Sequence, residues 1–225
     1  MRFTKERSQN VKNTHQAIAV EGYPFIGFFA FLTLLFGVLE WYCLTTILLG
    51  LTLFSVYFFR NPERRVPEGE KLVVAPADGK VIFADTVTEN RYFDGAEVFK
   101  ISIFMNVFNV HVNRAPVSGK VVEQFYNRGQ FLNASLDKAS LQNEQAGMLV
   151  EMNNGVRILC VQIAGLIARR IVTYPVVGDM IERGCRYGLI RFGSRVDLYL
   201  PVDTDIRVTL GDRTVGGETV MGVLS

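Results

Sequence analysis

Histidine is scarce in this sequence: among 225 residues there are only two, His15 and His111. A side chain that titrates near neutral pH is therefore available at two positions only. The three cysteines, Cys43, Cys160 and Cys185, form no C-x-x-C pair. Neither a disulfide framework nor a zinc site is indicated, and this cysteine usage is typical of a reducing compartment.

A strong charge and the common nucleotide and hydrolase motifs are also missing. The net charge is +2 and basic residues are scattered among acidic ones, which gives no basis for predicting nucleic-acid binding. The sequence has no phosphate-binding glycine loop, no metal-ligand spacing and no G-x-S-x-G nucleophile elbow. Hydrophobic residues make up 49% of the chain, so we expect a folded core rather than disorder.

A long hydrophobic stretch occupies residues 23–59, and Glu40 is its only charged residue. As a single helix it would be about 55 Å long, well beyond the ~30 Å hydrocarbon core of a bilayer. Glu40 divides it into apolar runs of 17 and 19 residues. These lengths predict a membrane helix or helical hairpin, with a turn near Glu40-Trp41-Tyr42, that either spans the membrane or dips into one leaflet.

The flanks of this stretch indicate its orientation. Residues 1–22 are polar and include Lys12, while Arg60, Arg64 and Arg65 follow the stretch. The positive-inside rule then places both ends, and the domain that follows, on the cytoplasmic side of the cytoplasmic membrane. The alternative is a cleaved signal peptide, but the stretch is too long, starts late and lacks a small-residue cleavage site.

Beyond the hydrophobic stretch the composition changes twice. Residues 60–70 contain two prolines and are typical of a linker. Residues 71–225 consist of short β-branched runs separated by Gly, Asp and Asn, which predicts a mainly β domain. Residues 76–81 (PADGKV) return as 116–121 (PVSGKV), and residues 177–184 (VGDMIERG) are echoed by residues 211–217 (GDRTVGG). The second echo, Gly-Asp followed by a hydrophobic residue and a later Gly, resembles the turns of biotinyl and lipoyl domains. We therefore predict a barrel-sandwich-like β domain.

One polar segment, residues 127–146, interrupts this pattern. It is too long for a tight turn and has little strand signal, so a functional loop or a short helix is expected there. We interpret it as a mobile cover over the active site.

The dipeptide Gly193-Ser194 lies between two predicted strands. A Gly-Ser pair is in most cases an ordinary turn. It also suits a self-cleavage reaction in which a serine hydroxyl attacks the carbonyl group of the preceding residue. Glycine at that position gives the backbone unusual conformational freedom and leaves its carbonyl group open. Elimination of the resulting ester would break the chain and leave a pyruvoyl group.

Two further residues are candidates for proton chemistry. His111 is the only histidine in residues 71–225 and is therefore the candidate general base, although an isolated histidine often has a structural role. Asp78 occurs in the turn sequence Pro-Ala-Asp-Gly. It either bonds its own backbone or lies beside a histidine and fixes the imidazole tautomer.

Together these segments resemble the phosphatidylserine decarboxylase proenzymes, in particular their compact bacterial and archaeal form. The similarity extends from Phe-Arg-Asn-Pro at residues 59–62 to the C-terminus. Its landmarks are PAD78G, NVH111VNRAP, the loop FLNA…DKAS…NE from residue 131 to 144, ARRI at residues 168–171, and GLIRFGS194RVD. Their joint order and spacing, rather than any single motif, carry the resemblance.

The resemblance implies cleavage between Gly193 and Ser194, which gives a heterodimer of a β chain (residues 1–193) and an α chain (residues 194–225). It implies that Asp78, His111 and Ser194 act together in self-cleavage. Ser194 would become a covalent pyruvoyl group, the only cofactor, and phosphatidylserine in the membrane would lose carbon dioxide to give phosphatidylethanolamine. The longer bacterial branch has two histidines near His111, so one histidine here must serve both reactions or share them with another group.

Arginine side chains are candidates for binding the substrate phosphate or carboxylate. They are Arg114, Arg169, Arg170 and Arg195. Two other functional classes are also compatible with these sequence features. One is a membrane-tethered barrel-sandwich carrier modified on a lysine or on His111. The other is a membrane serine peptidase that uses Ser194 in an uncut chain.

Overall fold

The computed structural model describes residues 16–89, 92–132, 134, 142–165, 171–191 and 193–225. They fall into two units, one within His15–Glu63 and the other within Arg64–Ser225.

The first unit is a helical hairpin. A 3-10 turn, Val20–Gly22, leads into α1, Tyr23–Val38, and α2 spans Tyr42–Phe58. The turn between the helices includes Glu40, whose φ is +58°, so the turn predicted near this residue is confirmed. At the open end of the hairpin, the backbone N of Ala19 donates to the carbonyl of Phe59 at 2.8 Å.

Apolar side chains cover the surface of this hairpin. No residue of α1 is buried within the protein, and large apolar side chains are exposed on both helices and the turn: Phe28, Phe31, Leu34, Trp41 and Leu53. The helical segment Val20–Val38 is long enough and apolar enough to cross a membrane, whereas α2 is apolar but shorter. A continuous apolar surface of this kind is stable in lipid and not in water. The hairpin therefore supports association with a membrane.

The second unit is built from short strands. They are β1 (Leu72–Val74), β2 (Gly79–Glu89), β3 (Ala96–Met105), β4 (Val112–Arg114), β5 (Gly119–Asn127), β6 (Gln145–Glu151), β7 (Arg157–Ile163), β8 (Ile171–Thr173), β9 (Met180–Ile181), β10 (Arg186–Ile190), β11 (Ser194–Pro201), β12 (Asp205–Ile206), β13 (Arg213–Thr214) and β14 (Val220–Val223). The mainly β prediction is thereby confirmed, and the sheets agree with a barrel-sandwich-like fold.

The strands form three antiparallel sheets. The largest has eight strands in the order β13-β2-β3-β11-β7-β6-β5-β9, and two three-stranded sheets have the orders β4-β10-β8 and β1-β14-β12. β11 lies near the centre of the large sheet, paired with β3 on one side and β7 on the other. Strands this far apart in sequence are brought together by burial of their apolar faces rather than by local turns.

The two faces of β11 have different neighbours. Val196, Leu198 and Leu200 belong to the main hydrophobic core, whose partners on β3 are Ile101, Ile103 and Met105. Because side chains alternate along a strand, Arg195 and Asp197 lie on the opposite face. The side chain of Ser194 follows the core-facing register, so it points into the protein and is fully buried.

Candidate active site

Ser194 is the first residue of β11, and it stands opposite Met105, the last residue of β3. Its side chain is 0% exposed, and its hydroxyl lies 4.0 Å from the Met105 sulfur. The preceding residue, Gly193, has a φ of +62°, in the left-handed region that favours glycine. The Gly-Ser junction thus joins a half-buried glycine in an unusual conformation to a fully buried serine, unlike an ordinary surface turn.

The carbonyl group of Gly193 lies against the backbone of Gly165. A Cβ atom at position 165 would be 1.9 Å from this carbonyl oxygen and 3.4 Å from the Cβ of Ala134. Only glycine permits such a close approach, so Gly165 makes room for the carbonyl group at the predicted cleavage point. The sequence reasoning missed Gly165, because a single glycine after a strand carries no specific signal.

His111 lies beside this junction and is 0% exposed. The backbone N of Gly193 donates to its Nε2 atom at 3.4 Å, and its Nδ1 atom is 3.0 Å from the carbonyl oxygen of Asn109. In this arrangement Nδ1 carries the hydrogen and donates to Asn109, while Nε2 keeps its lone pair directed at Gly193. In this tautomer Nε2 is the ring nitrogen with a lone pair, so it is the atom that could act as a base.

The carbonyl of Asn109 is itself held in place by a tight turn. The backbone N of Asn106 donates to Oδ1 of Asn109 at 2.9 Å, and the backbone N of Phe108 donates to Oδ1 of Asn106 at 2.9 Å. Asparagine side chains commonly stabilise turns in this way. Asn109, which the sequence reasoning also missed, therefore supplies the group that orients His111.

Asp78 makes a different set of contacts. Among the described residues, its carboxylate accepts hydrogen bonds from Nη2 of Arg64 at 2.8 and 2.9 Å and from the backbone N of Gly216 at 2.7 Å. The structure therefore does not join Asp78 to His111 by a hydrogen bond, in contrast to the relay implied by the resemblance. Arg64 belongs to the predicted linker, and this ion pair holds it to the β unit.

Two of the candidate substrate-binding arginines lie in the described part of the chain, and both have protein partners. Arg114 is 6% exposed and donates from Nη1 to the carbonyl of Gly184 at 2.9 Å. Burial, and then repulsion from Arg64, lower its pKa. Arg195 is 2% exposed and bonds Asp197. Arg169 and Arg170 lie outside the described residues.

The segment predicted to cover the site is described only at its base. The side-chain amide of Asn143 donates to the carbonyl groups of Leu132 at 2.8 Å and of Ala164 at 2.7 Å, and its oxygen accepts from the backbone N of Leu132 at 3.0 Å. Asn143 is 1% exposed. It therefore joins both ends of the segment to the strand that leads to Gly165.

The buried thiol of Cys160 and a metal site would be other sources of reactivity among the described residues. Burial raises the pKa of Cys160 to about 12, so this thiol stays protonated at neutral pH and is a poor nucleophile. Within the described residues, no group of three or more His, Cys, Asp or Glu side chains is arranged to hold a metal ion. Among the described residues, the Gly193-Ser194 junction, with Nε2 of His111 3.4 Å from the backbone N of Gly193, is the candidate reactive feature of the β unit.

Comparison with known proteins identifies the family. Residues 51–222 match the phosphatidylserine decarboxylase family. The chain belongs to this family. It is 64% identical to the phosphatidylserine decarboxylase proenzyme of Syntrophotalea carbinolica, over 95% of this chain and 100% of the relative. Identity is 52% to the proenzyme of Geotalea uraniireducens and 54% to that of Citrifermentans bemidjiense, with the same coverage of both chains.

Membership of the phosphatidylserine decarboxylase family confirms the resemblance seen in the sequence. The matched region contains Asp78, His111 and Ser194. The relatives carry the name proenzyme, which denotes a precursor that is processed. The carrier and peptidase alternatives have no support in this comparison.

Proposed function

We propose that this chain is a self-cleaving phosphatidylserine decarboxylase, which converts phosphatidylserine to phosphatidylethanolamine with a pyruvoyl group made from Ser194. The observation that carries the proposal is the buried Gly193-Ser194 junction with the Nε2 lone pair of His111 beside it. Family membership supplies the reaction class, and this geometry supplies the residues.

Self-cleavage begins with the hydroxyl group of Ser194. His111 takes its proton at Nε2, and Oγ bonds to the carbonyl carbon of Gly193 while the bond from that carbon to the nitrogen of residue 194 breaks. His111 returns the proton to that nitrogen, and the product is an ester with a free amine on residue 194. Loss of the Cα proton then breaks the bond between Cβ and Oγ, and Gly193 leaves as a carboxylate. Water replaces the amine nitrogen, which departs as ammonia.

The left-handed backbone at Gly193 and the space provided by Gly165 favour the first of these steps. An attacking oxygen must approach the carbonyl carbon from outside the peptide plane. Glycine at position 193 permits the left-handed backbone, and the absence of a side chain at position 165 leaves room for the carbonyl oxygen of Gly193. Residue 194 thus fits the precursor of a pyruvoyl group: it is buried, it has a candidate base nearby and it follows a glycine in an unusual conformation.

The pyruvoyl group supplies an electron sink for the carbon that loses carbon dioxide. The residues of the chain bind the headgroup, exclude water and return a proton to carbon. His111 remains beside residue 194 after the chain is cut, because Asn109 holds its Nδ1 atom independently of Gly193. We assign it the return of that proton.

The two chains of the mature enzyme are held together by the large sheet. β11 belongs to the α chain, whereas its neighbours β3 and β7 belong to the β chain. On the face away from the core, Asp197 pairs with Lys100 at 3.1 Å, and Arg195 donates to Ser102 at 2.8 Å. These buried contacts cross between the chains and support a heterodimer of α and β chains.

The helical hairpin brings the enzyme to its lipid substrate. Its exposed apolar surface favours lipid, and basic residues on both sides of the hydrophobic stretch favour a cytoplasmic location of both ends. We therefore place the catalytic unit at the cytoplasmic face of the cytoplasmic membrane.

Removal of residues 1–59 tests the role of the hairpin. We expect the truncated protein to cleave itself and to lose most of its affinity for membranes, because the hairpin supplies most of the apolar surface available to lipid. Sedimentation with phospholipid vesicles, followed by gel analysis of both chains, measures the two properties together. Full-length protein is the control, and tight binding by the truncated form would contradict this role.

Replacement of Asn143 tests the segment over the site. We expect Asn143→Ala to form both chains but to reduce decarboxylation per processed molecule by roughly 10- to 100-fold, because the base of the segment loses three hydrogen bonds. Release of carbon dioxide from phosphatidylserine measures the rate. Asn154→Ala, in the exposed turn between β6 and β7, is the matched control and should retain normal turnover. Equal rates for both variants would contradict a role of this segment in turnover.

A further inference from the structure

A line of buried polar side chains leads through the core toward Ser194. Thr173, on β8, donates from its hydroxyl to Oε1 of Gln162 at 2.8 Å. Gln162, on β7, donates from Nε2 to Oδ1 of Asn113 at 2.7 Å. Asn113, on β4, is 0% exposed and Gln162 is 1% exposed. Three strands thus contribute one polar group each to a chain of hydrogen bonds that begins at the half-buried Thr173 and continues to the buried Gln162 and Asn113.

This chain of hydrogen bonds has a direction. Because Oδ1 of Asn113 accepts from Gln162, its Nδ2 atom must point the other way. Nδ2 lies 3.7 Å from the sulfur of Met105, and Oγ of Ser194 lies 4.0 Å from the same sulfur. The Asn113 amide and the hydroxyl of Ser194 therefore both contact the sulfur of Met105, which is the last residue of β3 and stands opposite Ser194.

The amide of Asn113 has unused hydrogen-bonding capacity. It carries two N–H groups, and within the described part of the chain its Nδ2 atom has no acceptor other than the Met105 thioether. A thioether is a weak acceptor, and burial of an amide without a good partner costs free energy. An apolar residue would fill this position without that cost, so a fixed buried donor that shares the Met105 sulfur with the hydroxyl of Ser194 points to a role in the reaction.

The packing around Gln162 maintains this arrangement. A Cβ atom at Gly188 would lie 2.8 Å from Nε2 of Gln162 and 2.3 Å from the carbonyl oxygen of Val172. The absence of a side chain at position 188 therefore leaves the space in which Gln162 reaches Asn113. The orientation of the Asn113 amide depends on residues of several strands and not on its own rotamer alone.

We propose that Asn113 donates a hydrogen bond from Nδ2 to Oγ of residue 194 during the elimination step of self-cleavage, with Gln162 as its positioning residue. This inference rests on the proposed function. In the elimination step, the Cα proton of residue 194 goes to a base and its electron pair forms the Cα–Cβ double bond. The Cβ–Oγ bond breaks, and Oγ keeps the bonding pair as part of the Gly193 carboxylate.

The charge on Oγ distinguishes the two steps of self-cleavage. In ester formation Oγ is the nucleophile, and a donor to it does not increase its reactivity. In elimination Oγ becomes an oxygen of the leaving carboxylate and gains negative charge, which a preorganised N–H group stabilises. Asn113 should therefore accelerate elimination without accelerating ester formation.

Hydroxylamine separates these steps, because it cleaves esters and leaves peptide bonds intact under mild conditions. Full-length proenzymes would be made by cell-free translation with phospholipid vesicles, and cleavage would be followed with and without hydroxylamine. Spontaneous cleavage reports both steps, whereas hydroxylamine-dependent cleavage reports ester formation alone. The variants are Asn113→Leu, Gln162→Met and, as a control, Thr204→Val, a buried threonine beyond the far end of β11.

For Asn113→Leu we expect the rate of spontaneous cleavage to fall at least tenfold below that of wild type, because removal of a single oxyanion donor in other enzymes has an effect of this size or larger. Hydroxylamine-dependent cleavage should stay within about threefold of wild type. The released fragment, residues 194–225, should then begin with an unmodified serine that Edman sequencing reads. Gln162→Met should behave like Asn113→Leu: spontaneous cleavage should fall, while hydroxylamine-dependent cleavage should stay near wild type. Thr204→Val should change neither rate. Ester formation by Asn113→Leu itself demonstrates that the variant is folded.

Two results would overturn the inference while leaving the proposed function intact. One is wild-type spontaneous cleavage in Asn113→Leu. The other is an equal loss of both rates in that variant, with Thr204→Val normal, which would mean that Asn113 only maintains the fold. If wild-type protein cleaves neither spontaneously nor with hydroxylamine, the proposed function itself fails.

Discussion

Ser194→Ala is expected to remain a single chain of 225 residues with no decarboxylase activity. A methyl group cannot attack the carbonyl of Gly193, so neither the ester nor the pyruvoyl group can form. The substitution removes one buried oxygen whose nearest partner is the Met105 sulfur at 4.0 Å, so the fold should be little affected. The loss of activity should therefore be complete, whereas the loss of stability should be small.

The matching measurement on wild-type protein uses gel electrophoresis and intact mass. Wild type should give two chains, and the mass of the smaller one should correspond to residues 194–225 with pyruvoyl in place of serine. Edman sequencing of that fragment should fail, since its first residue has no amine. Ser194→Cys, which keeps a nucleophile, should cleave slowly and acts as the control for position 194. An active wild-type protein that consists of one uncut chain would refute the proposal.

His111→Ala is expected to block or greatly slow cleavage, because Ser194 would have no base. Removal of a general base costs roughly 100- to 10,000-fold in rate. The time course of chain cleavage in freshly synthesised protein measures it, and circular dichroism checks that the variant is folded. Normal cleavage in a folded His111→Ala protein would exclude this residue from maturation.

The comparison with Asp78→Asn determines what orients the imidazole. The structure holds Nδ1 of His111 with the carbonyl of Asn109, while Asp78 pairs with Arg64. We therefore expect Asp78→Asn to slow cleavage much less than His111→Ala does. If the two variants are equally slow, Asp78 acts through His111 as the family resemblance implies.

Much of the architecture could be predicted from local patterns. Short β-branched runs separated by turn residues predicted a mainly β unit, and the length of the hydrophobic stretch on each side of Glu40 predicted a hairpin. The order of strands could not be predicted, because β11 pairs with strands far away in sequence, and that choice depends on packing of whole faces.

The site was predictable only where side-chain chemistry has a signature in the sequence. Ser194 and His111 were predicted because they lie in segments whose joint order and spacing resemble a known family, since a Gly-Ser pair or a lone histidine by itself has no specific signature. Asn109 was missed because it acts through its backbone carbonyl, which every residue possesses. Asn113 was missed because its relevance comes from contacts with two other strands. Arg64 was assigned to a linker, although it is the partner of Asp78.

The position of β11 between β3 and β7 changes the way in which the protein can refold. Before the cut, β11 is tethered to the preceding strands, so renaturation is a first-order process within one molecule. After the cut, the same pairing requires an encounter of two separate polypeptides, and recovery depends on their concentration. If the chain is cut before Ser194, recovery of the folded sheet after denaturation should therefore rise with the concentration of the two chains, whereas that of the uncut chain should not.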